Sequence, residues 1–273
     1  MKPVVLNGKK LAKEIEKRLK RRVFLLKKRT ETIPCLAIIL VGADHASEVY
    51  VKLKLAACER IGIKTKVFHL PKSAQTDEVV STVEKLNQDT SVHGILIQHP
   101  LPKQINEEKC FRAINPSKDV DGLNPISNFY CATPLGIITL LKHYHLKILG
   151  KEAVVVGRSR ILGKPMAMML LDADATVTIC HSRTKNLPQV IKRADILVAA
   201  IGKPKLIKAS WIKKGAVVID AGYNRGSVGD VDLKGVIKKC SAYTPVPGGV
   251  GPMTIVSLIS QVVKATEDFS KLK

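Results

Sequence analysis

The sequence predicts an α/β protein with two domains of βαβ units. Each domain has a parallel sheet, the second is of Rossmann type, and a cleft between them holds the active site. Three observations predict this. Short apolar runs alternate with longer amphipathic segments along nearly the whole chain, the rhythm of parallel strands joined by right-handed helical crossovers. A cluster of Pro, Asn, Asp and Gly over residues 115–125 interrupts that rhythm and reads as a hinge. Beyond it, an apolar strand runs into a glycine turn from Gly157 to Gly163 that opens a helix.

The elements follow in order. Leu11, Ile15, Leu19, Val23 and Leu26 recur about four apart within residues 9–29, which predicts an amphipathic helix with a buried stripe and a basic outer face. Residues 35–41 are continuously apolar, as in a strand buried on both faces. That strand ends near Gly42-Ala-Asp44, and a helix is expected over 46–61. A strand at 66–70 and a helix at 76–87, opened at Thr76-Asp-Glu, come next. The strand at 94–98 stops at His99-Pro100-Leu101-Pro102, which cannot continue a ladder. After the hinge come a helix at 134–145, strands at 153–156, 176–180, 196–200 and 216–220, and helices at 163–171 and 187–193. A loop rich in Gly and Pro at 244–252 leads into a final helix at 253–266. The expected division is 1–130, completed by a C-terminal helix over 252–273, and 131–251.

The chain has 273 residues, 45% hydrophobic and 25% charged, which suits globular domains. No apolar run reaches the ~18 residues of a membrane span, and the first residues have no signal-peptide core. Cys35, Cys58, Cys110, Cys131, Cys180 and Cys240 are scattered without a Cys-x-x-Cys pair. They read as reduced, packed thiols of a cytoplasmic protein, and no metal site is expected. The net charge of +22 admits nucleic-acid binding or a solvated, lysine-rich surface that attracts anionic small molecules. With only 4% aromatic residues, base-stacking platforms are scarce, which favours the second reading.

Chemistry concentrates in two places. The turn Gly157-Arg158-Ser159 through Gly163-Lys164 suits a dinucleotide pyrophosphate, because a helix N-terminus offers amides and the positive dipole end. The next strand ends at His181-Ser182-Arg183-Thr184, about 20 residues on, where dinucleotide folds read the adenosine ribose. NAD enzymes place an acid there. This turn has none, so it favours the ribose phosphate of NADP, with Arg158 and Arg183 supplying charge. In the first half, Tyr50 and Lys54 lie four apart on a predicted helix, with Val51, Leu55 and Cys58 expected to pack on the sheet. That spacing alone supports only an exposed helix face. Gln98 ends a buried strand at the edge where open sheets bind ligands. Asp119 and Asp121 follow in the hinge, although alternate loop residues need not face one another. His143 and His145 diverge on a predicted helix and have no metal-ligand spacing.

Five segments occur in the order of a known family: Tyr50-Val-Lys-Leu-Lys54, Gly94-Ile-Leu-Ile-Gln98-His-Pro-Leu-Pro, Lys118-Asp-Val-Asp121-Gly, Gly157-Arg-Ser-x-x-x-Gly-Lys-Pro and Thr244-Pro-Val-Pro-Gly-Gly-Val-Gly-Pro-Met-Thr254. Across nearly the whole chain they closely resemble the bifunctional methylenetetrahydrofolate dehydrogenase/methenyltetrahydrofolate cyclohydrolase family, known in bacteria as FolD. The resemblance implies oxidation of 5,10-methylenetetrahydrofolate with NADP and hydrolysis of the methenyl product to 10-formyltetrahydrofolate. It implies catalytic roles for Lys54, which assists water attack, Gln98, which tunes the lysine, Tyr50, which stacks on the folate ring, and Asp121, which grips the pterin. Val51, Lys52, Leu53, Pro100, Leu101, Gly248, Gly249 and Pro252 would complete the substrate site, and Thr133 would join the cofactor site. A homodimer is implied, and the basic surface suits polyglutamylated folates. The same fold acting mainly as a monofunctional dehydrogenase is the alternative, with a basic nucleic-acid-binding protein as the reading from another class.

Three features depart from the family pattern. The link from Gly122 to the helix start Cys131-Ala-Thr-Pro134 is short, His99 stands where Leu is commoner, and the loop after Tyr223-Asn-Arg225 is trimmed.

Overall fold

The structure is a computed structural model that describes residues 2–42 and 45–271. The expected strand end at Ala43-Asp44 and the last two residues of the expected C-terminal helix, 272 and 273, lie outside the described residues. In chain order the elements are β1 (Val4–Val5), α1 (Gly8–Thr30), β2 (Cys35–Val41), α2 (His45–Ile61), β3 (Lys64–Leu70), α3 (Thr76–Gln88), β4 (Gly94–Ile97), α4 (Glu107–Ala113) and α5 (Ala132–His143). They continue with β5 (Glu152–Val156), α6 (Gly163–Leu171), β6 (Thr176–Cys180), α7 (Leu187–Ile191), β7 (Ile196–Ala199), β8 (Val217–Asp220), α8 (Leu233–Val236), β9 (Ala242–Tyr243) and α9 (Val250–Lys271).

The chain divides into two compact units. Met1–Ala12 with Thr133–Thr254 form one, and Lys13–Ala132 with Ile255–Lys273 form the other. The first contains a six-stranded sheet in the order β1-β9-β8-β7-β5-β6, and the second a three-stranded sheet in the order β3-β2-β4. Every pairing in both sheets is parallel. The fold is therefore α/β with parallel sheets, as the alternation of elements predicts.

In the three-stranded unit, β2 is buried at all seven positions, because it is central and covered on both faces. The edge strand β3 instead alternates exposed and half-buried positions. Leu19, Val23 and Leu26 of α1 are buried, while Ile15 is half-buried. The predicted cap of α3 moves by one residue. Gln75 is the N-cap, and its N–H donates to the Glu78 side chain at 2.8 Å. Thr76 lies inside the helix, where its hydroxyl accepts the N–H of Asn106 at 2.9 Å.

In the six-stranded unit, α5 ends two residues before the expected stop. His145 adopts φ 53° and the Leu146 N–H returns to Leu141 O at 3.0 Å, a left-handed reversal that closes the helix. Buried Val154, Val156, Leu197, Ala199 and Val218 form its core with Ile191 and Val236. All six cysteines are free and buried. Among the described residues, no helix is long and apolar enough to cross a membrane.

Candidate active site

In the three-stranded unit the chain passes from β2 to one neighbour, β3, and returns to the other, β4. The carboxyl ends of β2 and β4 thus flank a switch point, where open sheets leave a crevice. Gln98 follows β4 there, and its N–H donates to Ile39 O at 2.8 Å. Ser47, Val51, Lys54, Cys58 and Ile61 form the buried stripe of α2. Lys54 is only 7% exposed, so it shares the face of Val51 and Cys58, and the solvated face expected from its spacing to Tyr50 is corrected. Leu55 is half-buried.

Lys54 Nζ donates to Gln98 Oε1 at 2.8 Å. The Gln98 amide nitrogen donates to His99 O at 2.7 Å, which fixes the side chain with its oxygen toward the lysine. Burial pushes the Lys54 ammonium below its ordinary pKa, and Asp121 partly offsets this. Burial likewise pushes Asp121 up to about 6, with Lys54 opposing and Asp119 adding to the rise. A buried amine whose hold on its proton is weakened by burial thus lies within electrostatic reach of a carboxyl that titrates near neutrality. Such a pair is a candidate for proton transfer at neutral pH.

Asp119 has a different task. It is fully buried, and its carboxylate accepts the Asn124 N–H at 2.7 Å, shaping the loop beyond Gly122. The short link predicted there closes on itself. A Cβ on Gly122, at φ 65°, would collide with the Tyr130 backbone, and Cys131 Sγ donates to Gly122 O at 2.9 Å. Gln261 clamps the two ends of this link. Its Nε2 donates to Val120 O and Tyr130 O, each at 2.8 Å, and its Oε1 accepts the Tyr130 N–H at 3.1 Å. Lys118 Nζ donates to the carbonyls of Leu86, Asn87 and Asp89 at 3.0, 2.8 and 2.8 Å, capping the end of α3.

Other expected substrate residues scatter around this cluster. Tyr50 is half-buried on α2. Val51 is buried toward the sheet, whereas Lys52 and Leu53 are exposed, and Lys52 lies across α2 from Lys54. Pro100 is exposed and Leu101 buried just beyond Gln98. His99 Nε2 lies 2.8 Å from Glu107 Oε1.

In the six-stranded unit, register brings the two predicted turns together. Val156 of β5 pairs with Cys180 of β6, so Gly157 and His181 leave adjacent strands side by side. Gly157 has φ 130°, and a Cβ there would collide with the Ala200 backbone oxygen. A Cβ on Gly163 would collide with the Gly157 oxygen, so the turn closes tightly onto the start of α6. Ser159 Oγ accepts the Gly163 N–H at 3.3 Å, and Ser159 O accepts the Lys164 N–H at 3.0 Å. Arg158 is exposed beside the turn. Across from it, the His181 N–H donates to Thr184 Oγ1 at 2.9 Å and the Arg183 N–H to His181 Nδ1 at 3.2 Å, leaving Ser182 and Arg183 exposed. The order β6-β5-β7 makes this a switch point too.

Thr133 accepts a hydrogen bond from Thr254 Oγ1 at 3.1 Å. Gly248, at φ 100°, gives its carbonyl to the Lys9 N–H at 2.8 Å, and Gly249 O lies where a Cβ of Gly8 would be. Pro252 is half-buried in the first turn of α9.

Sequence reasoning missed Lys118, Gln261, Asp220 and Asp230. Asp220 and Gln261 do leave a trace, as polar groups at otherwise apolar positions, Asp220 closing the run 216–219 and Gln261 within α9.

A family model described as "Tetrahydrofolate dehydrogenase/cyclohydrolase, catalytic domain" matches residues 6–121, and its NAD(P)-binding counterpart matches residues 131–270. The bifunctional protein FolD of Cellvibrio japonicus is 56% identical over 276 residues, with 98% of this chain and 99% of that protein covered. The crystal structure of the Campylobacter jejuni FolD methylenetetrahydrofolate dehydrogenase/cyclohydrolase is similar at 44% identity and a TM-score of 0.94, covering 97% and 99% of the two chains. The Trypanosoma brucei enzyme, solved with NADP cofactor and inhibitor, is similar at 33% identity and a TM-score of 0.95, with 98% of each chain covered.

Proposed function

The chain belongs to the tetrahydrofolate dehydrogenase/cyclohydrolase family. On that premise we propose that it oxidises 5,10-methylenetetrahydrofolate with NADP and hydrolyses the methenyl product to 10-formyltetrahydrofolate. The observation that carries this reading is the 2.8 Å bond from Lys54 to Gln98, made by an amine that burial drives toward its neutral form.

The three-stranded unit with α9 is the folate-binding catalytic domain in this reading. Hydrolysis needs water to attack an electron-poor carbon and to lose a proton. Lys54, as the amine, takes that proton and returns it to the ring nitrogen as the carbon–nitrogen bond breaks, while the added hydroxyl releases its own proton to solvent and becomes the formyl oxygen. Gln98 Oε1 holds the ammonium between these steps. Asp121, mostly ionised at neutral pH, accepts hydrogen bonds from the pterin's amino and ring nitrogens. Tyr50 stacks on the ring, with Leu53, Pro100 and Leu101 near it, while Val51 packs behind toward the sheet and Lys52 lies on the far side of α2.

The six-stranded unit is the NADP-binding domain. The fit rests on close backbone packing: Gly157 and Gly163 stand where a Cβ would strike the Ala200 and Gly157 carbonyls, so a bare glycine turn leads straight into the start of α6. The adjacent turn has no acid to repel a ribose phosphate. Gly157, Ser159, Gly163 and Lys164 would hold the pyrophosphate, and Arg158, His181, Ser182 and Arg183 would hold the ribose phosphate. When bound, NADP supplies hydride acceptance, which needs no side-chain acid. Gly248 and Gly249 would give the ligands close approach to backbone, Pro252 would belong to the substrate site and Thr133 to the cofactor site. The buried thiols support a cytoplasmic workplace, the family resemblance supports a homodimer, and the net charge of +22 supports affinity for polyglutamylated folates.

Purified chain given methylenetetrahydrofolate and NADP tests the reading. NADPH absorbance is expected to rise without accumulation of methenyl absorbance. Absence of NADPH would refute the dehydrogenase, and methenyl accumulation would leave only a monofunctional dehydrogenase.

A further inference from the structure

Two buried carboxylates of the six-stranded unit have no part in the chemistry above. Asp220, the last residue of β8, is 1% exposed and Asp230 is fully buried. Asp220 Oδ1 accepts the N–H groups of Gly222 and Asp230, each at 3.0 Å, and its Oδ2 accepts that of Val231 at 2.9 Å. Asp230 Oδ2 accepts the N–H groups of Ile201 at 2.6 Å and Gly202 at 2.9 Å, and its Oδ1 accepts Asn224 Nδ2 at 3.0 Å. Every one of these donors is a neutral N–H group.

The surrounding chain is built to admit this pair. A Cβ on Gly222 would collide with the Asp230 carboxyl, and one on Gly229 with the Asp220 carboxyl. The trimmed loop after Arg225 is a tight hairpin. Asn224 and Val228 bridge, and Gly226 and Ser227 take φ 80° and 57°. That hairpin returns the chain so that Asp230 arrives under the segment following β7. Burying charge without a cation is costly, and a neutral side chain would fill the space more cheaply. The feature that needs the charge is the segment it holds. Ile201 and Gly202 follow Ala200, the residue whose carbonyl abuts Gly157. Residues 200–202 therefore wall the switch point between β5 and β7, opposite the glycine turn.

We propose that Asp230, itself held by Asp220, is a positioning residue for the dinucleotide, fixing residues 200–202 as the preformed wall of the slot whose other side is the Gly157 turn. The proposal rests on the reading of this unit as the NADP-binding domain. Preformed backbone spares the cofactor the entropy of ordering that segment on binding.

The test compares NADP binding by wild type and Asp230→Asn, measured by fluorescence titration, with a folate analogue as the control ligand. An asparagine must set its Nδ2 donor against either Asn224 Nδ2 or the two backbone N–H groups. NADP affinity is then expected to fall about tenfold, the loss of one charged hydrogen bond, while folate-analogue affinity stays within about twofold. The same split is expected in turnover, with KM for NADP raised and methenyl hydrolysis unchanged. The double variant Asn224→Asp with Asp230→Asn offers Nδ2 an acceptor again, and part of the NADP affinity is expected to return. If Asp230→Asn does not fold, Asn224→Ala removes the outer donor, together with its 3.1 Å bond to Val228 O, but leaves the carboxylate on residues 201 and 202, and about threefold weaker NADP binding is expected. Unchanged NADP affinity in the folded variant, or an equal loss for the folate analogue, would overturn the positioning role. Wild type that binds no NADP would instead overturn the reading of the unit.

Discussion

Replacing Lys54 by methionine keeps the length and apolar stem of a side chain that is 7% exposed, and removes only its amine. A single general base contributes about a hundredfold to ten-thousandfold, so methenyl hydrolysis by Lys54→Met is expected to fall within that range. Folding should barely change. Gln98 Oε1 loses its 2.8 Å donor, which costs about 1–3 kcal/mol, but the desolvation of a buried amine disappears at the same time. The melting temperature is therefore expected to move by less than about 4 °C. A second consequence concerns Asp121. Lys54 holds that carboxyl down against burial, and even so it reaches about 6. Without the amine it rises further, so the pH below which folate binding weakens should move upward in the variant. The assay follows loss of methenyl absorbance across pH, together with melting and NADP titration. A folded Lys54→Met protein that hydrolyses methenyltetrahydrofolate at more than about a tenth of the wild-type rate would refute the assignment of the base.

Three other outcomes follow from named contacts. Arg183→Glu puts an acid in the exposed turn beside Gly157, so kcat/KM for NADP should fall about tenfold to a hundredfold while that for NAD changes little; parallel losses would refute the ribose-phosphate role. Lys118→Met leaves three carbonyls at the end of α3 without their donor, and urea denaturation should show a loss of about 2–4 kcal/mol with NADP affinity unchanged. Asp220 is pushed by burial from the usual 3.8 to about 6, so the folded chain binds a proton at a pH where the unfolded chain has released it. Its contribution to stability therefore improves as pH falls from about 7 to about 4, by roughly 3 kcal/mol. Asp220→Asn should remove that part of the pH slope, and identical slopes in urea titrations at the two pH values would contradict the raised carboxyl.

The central strands were legible because a strand covered on both faces must be apolar throughout, as 35–41 and 153–156 are. The two-residue strands β1 and β9 carry no periodicity and were invisible. The two turns of the six-stranded unit are expected from sequence to serve one ligand, but their adjacency depends on the Val156–Cys180 register. Lys54 shows where spacing misleads. Its distance of four from Tyr50 fits a solvated face, yet the stripe Ser47, Val51, Lys54, Cys58, Ile61 has helical spacing too, and tertiary burial decided between them. The choice between Asp119 and Asp121 also lay beyond spacing, because it depends on which carboxyl the Asn124 amide satisfies. Asp230 was illegible for the same reason: its partners at Ile201 and Gly202 are remote in sequence.

A structure of the chain with NADP and a folate analogue tests the central claim most directly. The pterin is expected to pair with the Asp121 carboxylate with its reactive carbon beside Lys54 Nζ, and the pyrophosphate to lie on the Gly157 turn with the ribose phosphate against Arg183. A pterin bound away from Asp121 and Lys54, or a dinucleotide that bypasses the Gly157 turn, would contradict it.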